Sequence, residues 1–220
     1  MKILFVGLAR AIWLFDLSRF NSQGISYQAA LVEIGKRYKF AKIPNSIIDF
    51  DERKGLPFKA GTFVNSKGRS LLISFTIYID GFVAETMSST DDATEFLVEV
   101  TNWLSKEFGF ELPPNVRKAW ASQIDYESDA PLTDLNPKLA KIISFLDSRV
   151  KPPDGKPRKF DVGGLHFWTE DISKPGAPAA VKFERKIDAP FSDNHYFSQT
   201  PLQTQDHKDL LVELERLLMP

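Results

Sequence analysis

Strict alternation of apolar and polar residues marks the clearest strand of this chain. From residue 71 to residue 79 every second side chain is apolar, and mainly polar side chains fill the positions between. A period of two predicts a strand with one buried and one solvated face. Asp80-Gly81 follows, a pair that favours a two-residue type I′ turn, so we expect a hairpin that places Thr76 opposite Glu85.

Further strands are predicted on both sides of this hairpin. Alternate apolar positions between residues 9 and 17 favour a half-buried first strand, although a helix is an alternative there. Residues 41–59 show no sustained period and are predicted to be mostly loop. The other strand candidates are residues 62–64, 118–127, 160–168 and 179–187, with a weaker one at 191–198.

Four segments carry apolar side chains at helical spacing. They cover residues 27–38 after Ser26, residues 90–108 with Ser89 or Thr90 as N-cap and Gly109 as the stop, residues 137–150 with Asn136 as N-cap and Pro137 in the first helical position, and residues 204–218 with a cap near Thr204. The order strand, helix, two or three strands, helix therefore occurs twice.

The two closing helices suggest an internal duplication. Residues 90–100 align without a gap on residues 204–214 and match at Thr, Asp, Leu, Val and Glu. Any capped amphipathic helix shares part of this pattern, so chance similarity is the alternative. With duplication, the chain divides into one unit at residues 1–111 and a second, similar unit at residues 112–220, which can still pack as one domain.

This element order predicts an α+β protein, in which an antiparallel sheet built from two pseudo-repeated β-α-β-β-(β)-α units carries its helices on one face. Such an arrangement resembles the saddle of the TATA-binding-protein-like folds in element order alone. No residue motif identifies a family, and element order does not carry function.

Composition narrows the possible chemistry. The chain has 220 residues and three histidines. It has no cysteine, which excludes thiol catalysis, disulfides and Cys-ligated zinc. Its 28 Lys and Arg residues nearly balance 29 Asp and Glu residues, so no overall basic field points to nucleic acid or an anionic membrane. The one local basic run contains Lys151, Lys156, Arg158 and Lys159. It is either an extended arm that binds phosphates or an exposed linker, and we favour the linker.

No catalytic motif is present. The chain lacks G-x-S-x-G, Walker and G-x-G-x-x-G motifs, and Ser192, Asp193 and His195 are too close together to form a triad. His207 is expected to be solvated in the first turn of the last helix. Two acidic groups could in principle hold a divalent metal. The group at residues 88–92 fits helix capping better, and the second group fits a solvated loop better; it consists of Asp125, Glu127, Asp129 and Asp134. We expect no cofactor and no bound metal.

The uncovered sheet face is the expected site of function. Tyr, Trp and Met mixed with charges are typical of recognition surfaces. A loop such as residues 41–59, or a second subunit, is the alternative cover for this face. The residues predicted to form it are Thr76, Tyr78, Glu85, Met87, His166, Trp168, Lys182 and Glu184.

A non-enzymatic interaction protein is the function that this surface favours, with a protein partner or a second copy of the chain as ligand. A carboxylate-based metal-dependent hydrolase or nuclease and a nucleic-acid-binding module are the alternatives. A signal peptide is rejected because the first apolar run is short and Arg10 interrupts it, and no uncharged run reaches the length needed to span a bilayer. Cytoplasm is therefore the expected location.

Overall fold

A computed structural model describes residues 1–21, 24, 26–44, 54–156, 158–174 and 176–219. Its elements, in chain order, are β1 (Lys2–Leu14), α1 (Leu17–Phe20), α2 (Tyr27–Arg37), β2 (Leu56–Val64), β3 (Ser70–Tyr78), β4 (Gly81–Thr86), α3 (Thr90–Phe108), β5 (Arg117–Glu127), α4 (Leu139–Arg149), β6 (Gly164–Phe167), β7 (Val181–Arg185), β8 (His195–Thr200) and α5 (Thr204–Leu218). Two short 3₁₀ turns lie at Leu132–Leu135 and Phe191–Asp193.

The fold is α+β, with an antiparallel sheet, helices and a repeated order of elements, as predicted. By contacts the chain forms a larger unit, residues 6–122 with 202–204, and a smaller unit, residues 1–5, 123–201 and 205–220. Most of β1 belongs to the larger unit and the end of β5, from Gln123, to the smaller one. The strand order is β2-β3-β4-β1 for the first repeat and β6-β7-β8-β5 for the second, so the first strand of each repeat lies beside the last. The division at residues 111 and 112 stays a prediction.

Aromatic side chains build the core of the larger unit. The covered face of its strands presents Trp13, Phe58, Phe75 and Phe82, all almost fully buried. Phe96 of α3 meets the Phe75 ring edge-on, with ring centroids 5.5 Å apart. Edge-to-face packing of this kind adds to the burial of the rings. Among the described residues no helix packs on the other strand face, and this uncovered side positions the candidate site.

The hairpin register differs from the prediction. Tyr78 pairs with Gly81 and Thr76 with Val83, so the two turn residues are Ile79 and Asp80, and the Asp80-Gly81 turn was wrong. Gly81 has a φ of 144°, and a Cβ added there would lie 1.9 Å from the backbone oxygen of Trp13. Glycine is therefore needed for the close approach of β1 and not for a type I′ turn.

Several boundaries in the smaller unit are corrected as well. The predicted strand at residues 160–168 is paired only over Gly164–Phe167, so Trp168 lies beyond its end. The weak strand at 191–198 begins with a 3₁₀ turn and becomes β8 only at His195. The helix predicted from Pro137 becomes a regular α-helix only at Leu139, although the Asn136 side chain accepts a hydrogen bond from the backbone N–H of Lys138, as the predicted N-cap would.

Other local predictions are confirmed. Residues 2–14 form a strand and not a helix. Ser89 caps α3 by accepting a hydrogen bond from the Asp92 N–H, and Gly109 ends this helix with a φ of 68°. Of the predicted loop at 41–59, residues 45–53 lie outside the described residues, and Leu56 onwards belongs to β2. Within the described ranges, no helix is long and apolar enough to cross a membrane.

Candidate interaction surfaces

The open face of the larger unit is the side of strands β1, β3 and β4 that no helix of the described ranges covers. Its side chains follow from the alternation along each strand, since those of Ala9, Ala11 and Trp13 point into the core. A shallow groove of about 270 Å³ runs along this face. The groove is lined by Arg10, Ile12, Leu14, Tyr78, Asp80, Val83 and Glu85.

An ion pair lies in the middle of this open face. Arg10 and Glu85 are directly opposite each other on β1 and β4, and the Arg10 Nε atom donates a hydrogen bond of 2.8 Å to Glu85 Oε1. The Nζ atom of Lys59 lies 3.9 Å from the second carboxylate oxygen. The charges of Arg10 and Glu85 therefore cancel locally, and the neighbouring cross-strand pair, Ile12 and Val83, is apolar.

Apolar side chains extend the open face at one end. Leu72 is 63% exposed and Met87 is 65% exposed. Together with Leu8 and Ser74 they line a second shallow depression of about 170 Å³. Large apolar side chains with this exposure, grouped next to one another, are typical of contact surfaces rather than of solvated strands.

Three of the four predicted residues in the larger unit are accessible on the open face. Tyr78, Glu85 and Met87 are at least partly exposed, whereas Thr76 is only 7% exposed. The chain at Gly55 lies against Thr76, since a Cβ on Gly55 would come within 2.9 Å of the Thr76 methyl group. This part of the predicted loop covers Thr76, which removes it from the accessible surface.

The smaller unit brings its predicted residues together except for one. His166 pairs with Lys182 across β6 and β7, and its Nε2 atom lies 2.8 Å from Glu184 Oε1. Trp168 is 65% exposed but lies beyond the paired strand. A groove of about 620 Å³ lies beside them, lined by Gly163, Gly164, His166, Glu184, Arg185, Lys186, Ile187 and Phe191.

A buried charge cluster that was not predicted from the sequence lies on the same side of the smaller unit. Asp125 is almost fully buried, and its Oδ2 atom lies 2.7 Å from Lys186 Nζ and 3.7 Å from His195 Nε2. Lys186 and His195 come together because they face each other where β7 and β8 begin to pair. A charged residue between the buried Ile124 and Tyr126 was the available signal, but its partners depend on strand order.

Carboxylates in both acidic groups are engaged by donors of the protein itself. Burial opposes ionisation of Asp92, but hydrogen bonds from Ser88, Asn65 and Ser89 and the charge of Arg69 outweigh it and lower the pKa of the carboxyl group. Asp125 and Glu127 are each paired with a lysine, Lys186 and Lys2. No group of three His, Asp or Glu side chains able to hold a metal occurs among the described residues.

His207 is buried, so the prediction that it is solvated was wrong. Its ring lies 2.7 Å from the hydroxyl of the fully buried Ser198, and burial lowers the pKa of His207 to about 4. The imidazole is therefore neutral near neutral pH and acts as a packed polar group. The pair lies on the helix-covered side of the strands, which excludes it from the open face.

The basic run is partly tied down. Arg158 donates a 2.6 Å hydrogen bond to Asp154, and the backbone N–H of Phe160 donates one of 2.8 Å to Asp147 in α4. Lys151, Lys156 and Lys159 are exposed, and Pro157 lies outside the described residues. These contacts fit a linker anchored to α4 better than a free arm.

The comparisons with known proteins identify no family. No family model matches the chain, and no curated protein matches it. Among solved structures, the chain is similar to "Methanococcus jannaschii TBP", with a TM-score of 0.47, 14% sequence identity, and coverage of 99% of this chain and 97% of that one.

Proposed function

We propose that this protein is a non-enzymatic interaction protein that binds a protein partner, or a second copy of itself, through the open face of the larger unit. The observation that carries the proposal is the composition of that face. The apolar side chains of Ile12, Val83 and Leu14 lie on one side of the Arg10–Glu85 pair along the strands. The exposed side chains of Leu72 and Met87 extend the face at its end.

Local neutralisation favours a protein ligand over nucleic acid. Binding to nucleic acid requires Lys and Arg side chains that are free to neutralise phosphates and release their counterions. On the open face the guanidinium of Arg10 is already engaged by Glu85, and Lys59 lies near the same carboxylate. A charged pair that satisfies itself within an apolar surface is instead compatible with a desolvated protein interface.

The test is a pair of substitutions that place charge on exposed positions of the open face. We expect Leu72→Glu with Met87→Glu to leave folding intact, because both side chains are more than half exposed. Affinity capture from the native host at moderate salt, after nuclease treatment, then measures which stoichiometric partners are lost. Sedimentation velocity of the purified protein, with and without the substitutions, detects association with a second copy.

A matched control separates this effect from surface charge in general. Val212→Glu with Leu217→Glu adds the same two negative charges on α5, at side chains that are 60% and 61% exposed. The proposal expects this control to keep every partner that the open-face variant loses. If the open-face variant keeps all partners and its oligomeric state, or if nuclease treatment removes everything captured, the open face is not the binding surface.

A further inference from the structure

Helix α4 leaves apolar side chains exposed that helices of the larger unit bury. α2 buries four residues and α3 buries eight, whereas α4 has no buried residue. On α4, Ile142 is 58% exposed and Phe145 is 61% exposed. They lie three residues apart and therefore on one side of the helix, next to the half-buried stripe of Leu139, Ile143 and Leu146.

Cations flank these two apolar residues. At 100° per residue, Lys138, Lys141 and Arg149 fall on the same exposed stripe as Ile142 and Phe145. Residues 136–160 contain seven Lys or Arg and two Asp, a formal charge of +5, whereas the whole chain has a formal charge of −1. The helix and the segment after it thus form a strongly basic stretch of an otherwise nearly neutral chain.

The two acids of this segment do not neutralise the stripe. Asp154 holds Arg158, and Asp147 accepts a hydrogen bond from the backbone of Phe160. Arg149 lies over the ring of Phe145, 5.8 Å from its centroid, which keeps the cation beside the apolar pair. Both lysines of the stripe are exposed.

We propose that the exposed stripe of α4 (Lys138, Lys141, Ile142, Phe145 and Arg149) docks an acidic amphipathic segment of a partner protein. Charge complementarity selects the acidic flanks, and Ile142 and Phe145 select apolar side chains at the centre of that segment. This site is separate from the open face and does not depend on it.

A protein segment fits this stripe better than a membrane does. An interfacial helix buries a wide apolar face in the lipid, but Leu139, Ile143 and Leu146 are turned partly inward, which leaves two apolar side chains for insertion. A nucleic acid would use the cations and gain little from Ile142 in the middle of the stripe.

The experiment measures fluorescence anisotropy of a labelled helical peptide of about 16 residues, with Leu and Phe along one face and Glu on both sides of it. A second peptide of equal composition distributes the Leu and Phe around the helix, and a third replaces Glu with Lys. We expect the full-length protein to bind the first peptide, and Ile142→Ala with Phe145→Ala to weaken binding at least about tenfold. Lys138→Glu with Lys141→Glu weakens it too and flattens its dependence on salt.

Val212→Ala with Leu217→Ala is the matched control, because these side chains on α5 are 60% and 61% exposed. The control must bind like the unaltered protein. The proposal is overturned if the first peptide does not bind, if it binds no better than the second, or if the control loses as much affinity. Three other ligands are tested in the same way: vesicles with roughly a third phosphatidylserine, a single-stranded oligonucleotide and a second copy of the chain. The proposal is also overturned if binding of any of these is weakened by the Phe145 substitution while binding of the peptide is not.

Discussion

At the scale of single residues, buried polar groups are where sequence and structure differ most. His207 lies four residues before Leu211, seven before Leu214 and eleven before Leu218, all of which are buried. This spacing places the imidazole on the apolar stripe of α5, so burial of His207 could have been predicted from the helical period. Asp125 is the opposite case, since nothing local to it specifies Lys186 or His195 as partners.

Burial of His207 makes stability depend on pH in a defined direction. Its pKa falls from near 6.5 in the unfolded chain to about 4 in the folded protein. The unfolded state takes up the proton first, so this contribution is complete above pH 6.5 and is lost as the pH falls towards 4. At roughly 1.4 kcal/mol per pH unit, the loss amounts to about 3 kcal/mol.

Urea unfolding at about pH 7.5 and about pH 5 measures about 2 kcal/mol of this loss, because pH 5 still lies above the folded pKa of about 4. We expect His207→Gln to be less stable than the unaltered protein at the higher pH and to lose less stability on acidification. Ser198→Ala removes the hydroxyl partner but keeps the imidazole, so it should retain the pH dependence. An equal acid-induced loss in His207→Gln and the unaltered protein would assign the effect to other groups.

At the scale of elements, the faces of the strands were predictable and the register was not. Alternation fixes which side of β3 each residue occupies, and the register error moved the partner of Thr76 by two residues, from Glu85 to Val83. A shift of two preserves the face. The error in register therefore left Tyr78, Glu85 and Met87 on the strand face that alternation assigned to them, where they are at least partly exposed.

The turn was misassigned because the glycine at position 81 is required by the close approach of β1 and not by the turn. The sequence shows that a glycine follows Asp80, but not that β1 passes within contact distance of it. In the structure the backbone N–H of Phe15 donates a 2.9 Å hydrogen bond to the Asp80 oxygen, which holds the end of β1 against the turn. The same kind of long-range contact, Gly55 against Thr76, explains the one buried residue of the predicted face.

Gly81→Ala tests this explanation. A Cβ at this position meets the Trp13 backbone oxygen, and the φ of 144° is disfavoured for any L side chain. We expect a loss of at least about 3 kcal/mol of unfolding free energy. Gly68→Ala is the control, since Gly68 has a φ of 73° with open space around it and should cost about 1 kcal/mol. Equal losses in the two variants would show that conformation alone explains the glycine at position 81.

At the scale of the whole molecule, the two units share an order of elements but differ in their cores. The connected cluster of buried apolar residues belongs to the larger unit and contains 23 side chains among the described residues. The smaller unit has fewer buried apolar residues and leaves the aromatic side chains of Phe145, Phe167 and Trp168 more than half exposed. The amphipathic pattern of α4 predicted the helix correctly, but the pattern does not say how deeply its stripe packs.

Stability should therefore be unequal along the chain, and hydrogen exchange measures it. Amides within α3 are covered by a core that includes Phe96, Leu97 and Val100, so they should open only with the larger unit. Amides within α4 lack such cover and should exchange at least about a hundredfold faster, by local opening. Equal protection of the two helices would contradict this ranking and would mean that half-buried Leu139, Ile143 and Leu146 suffice to hold α4. If α4 does exchange faster, added acidic amphipathic peptide should slow it selectively, because a ligand stabilises the state to which it binds.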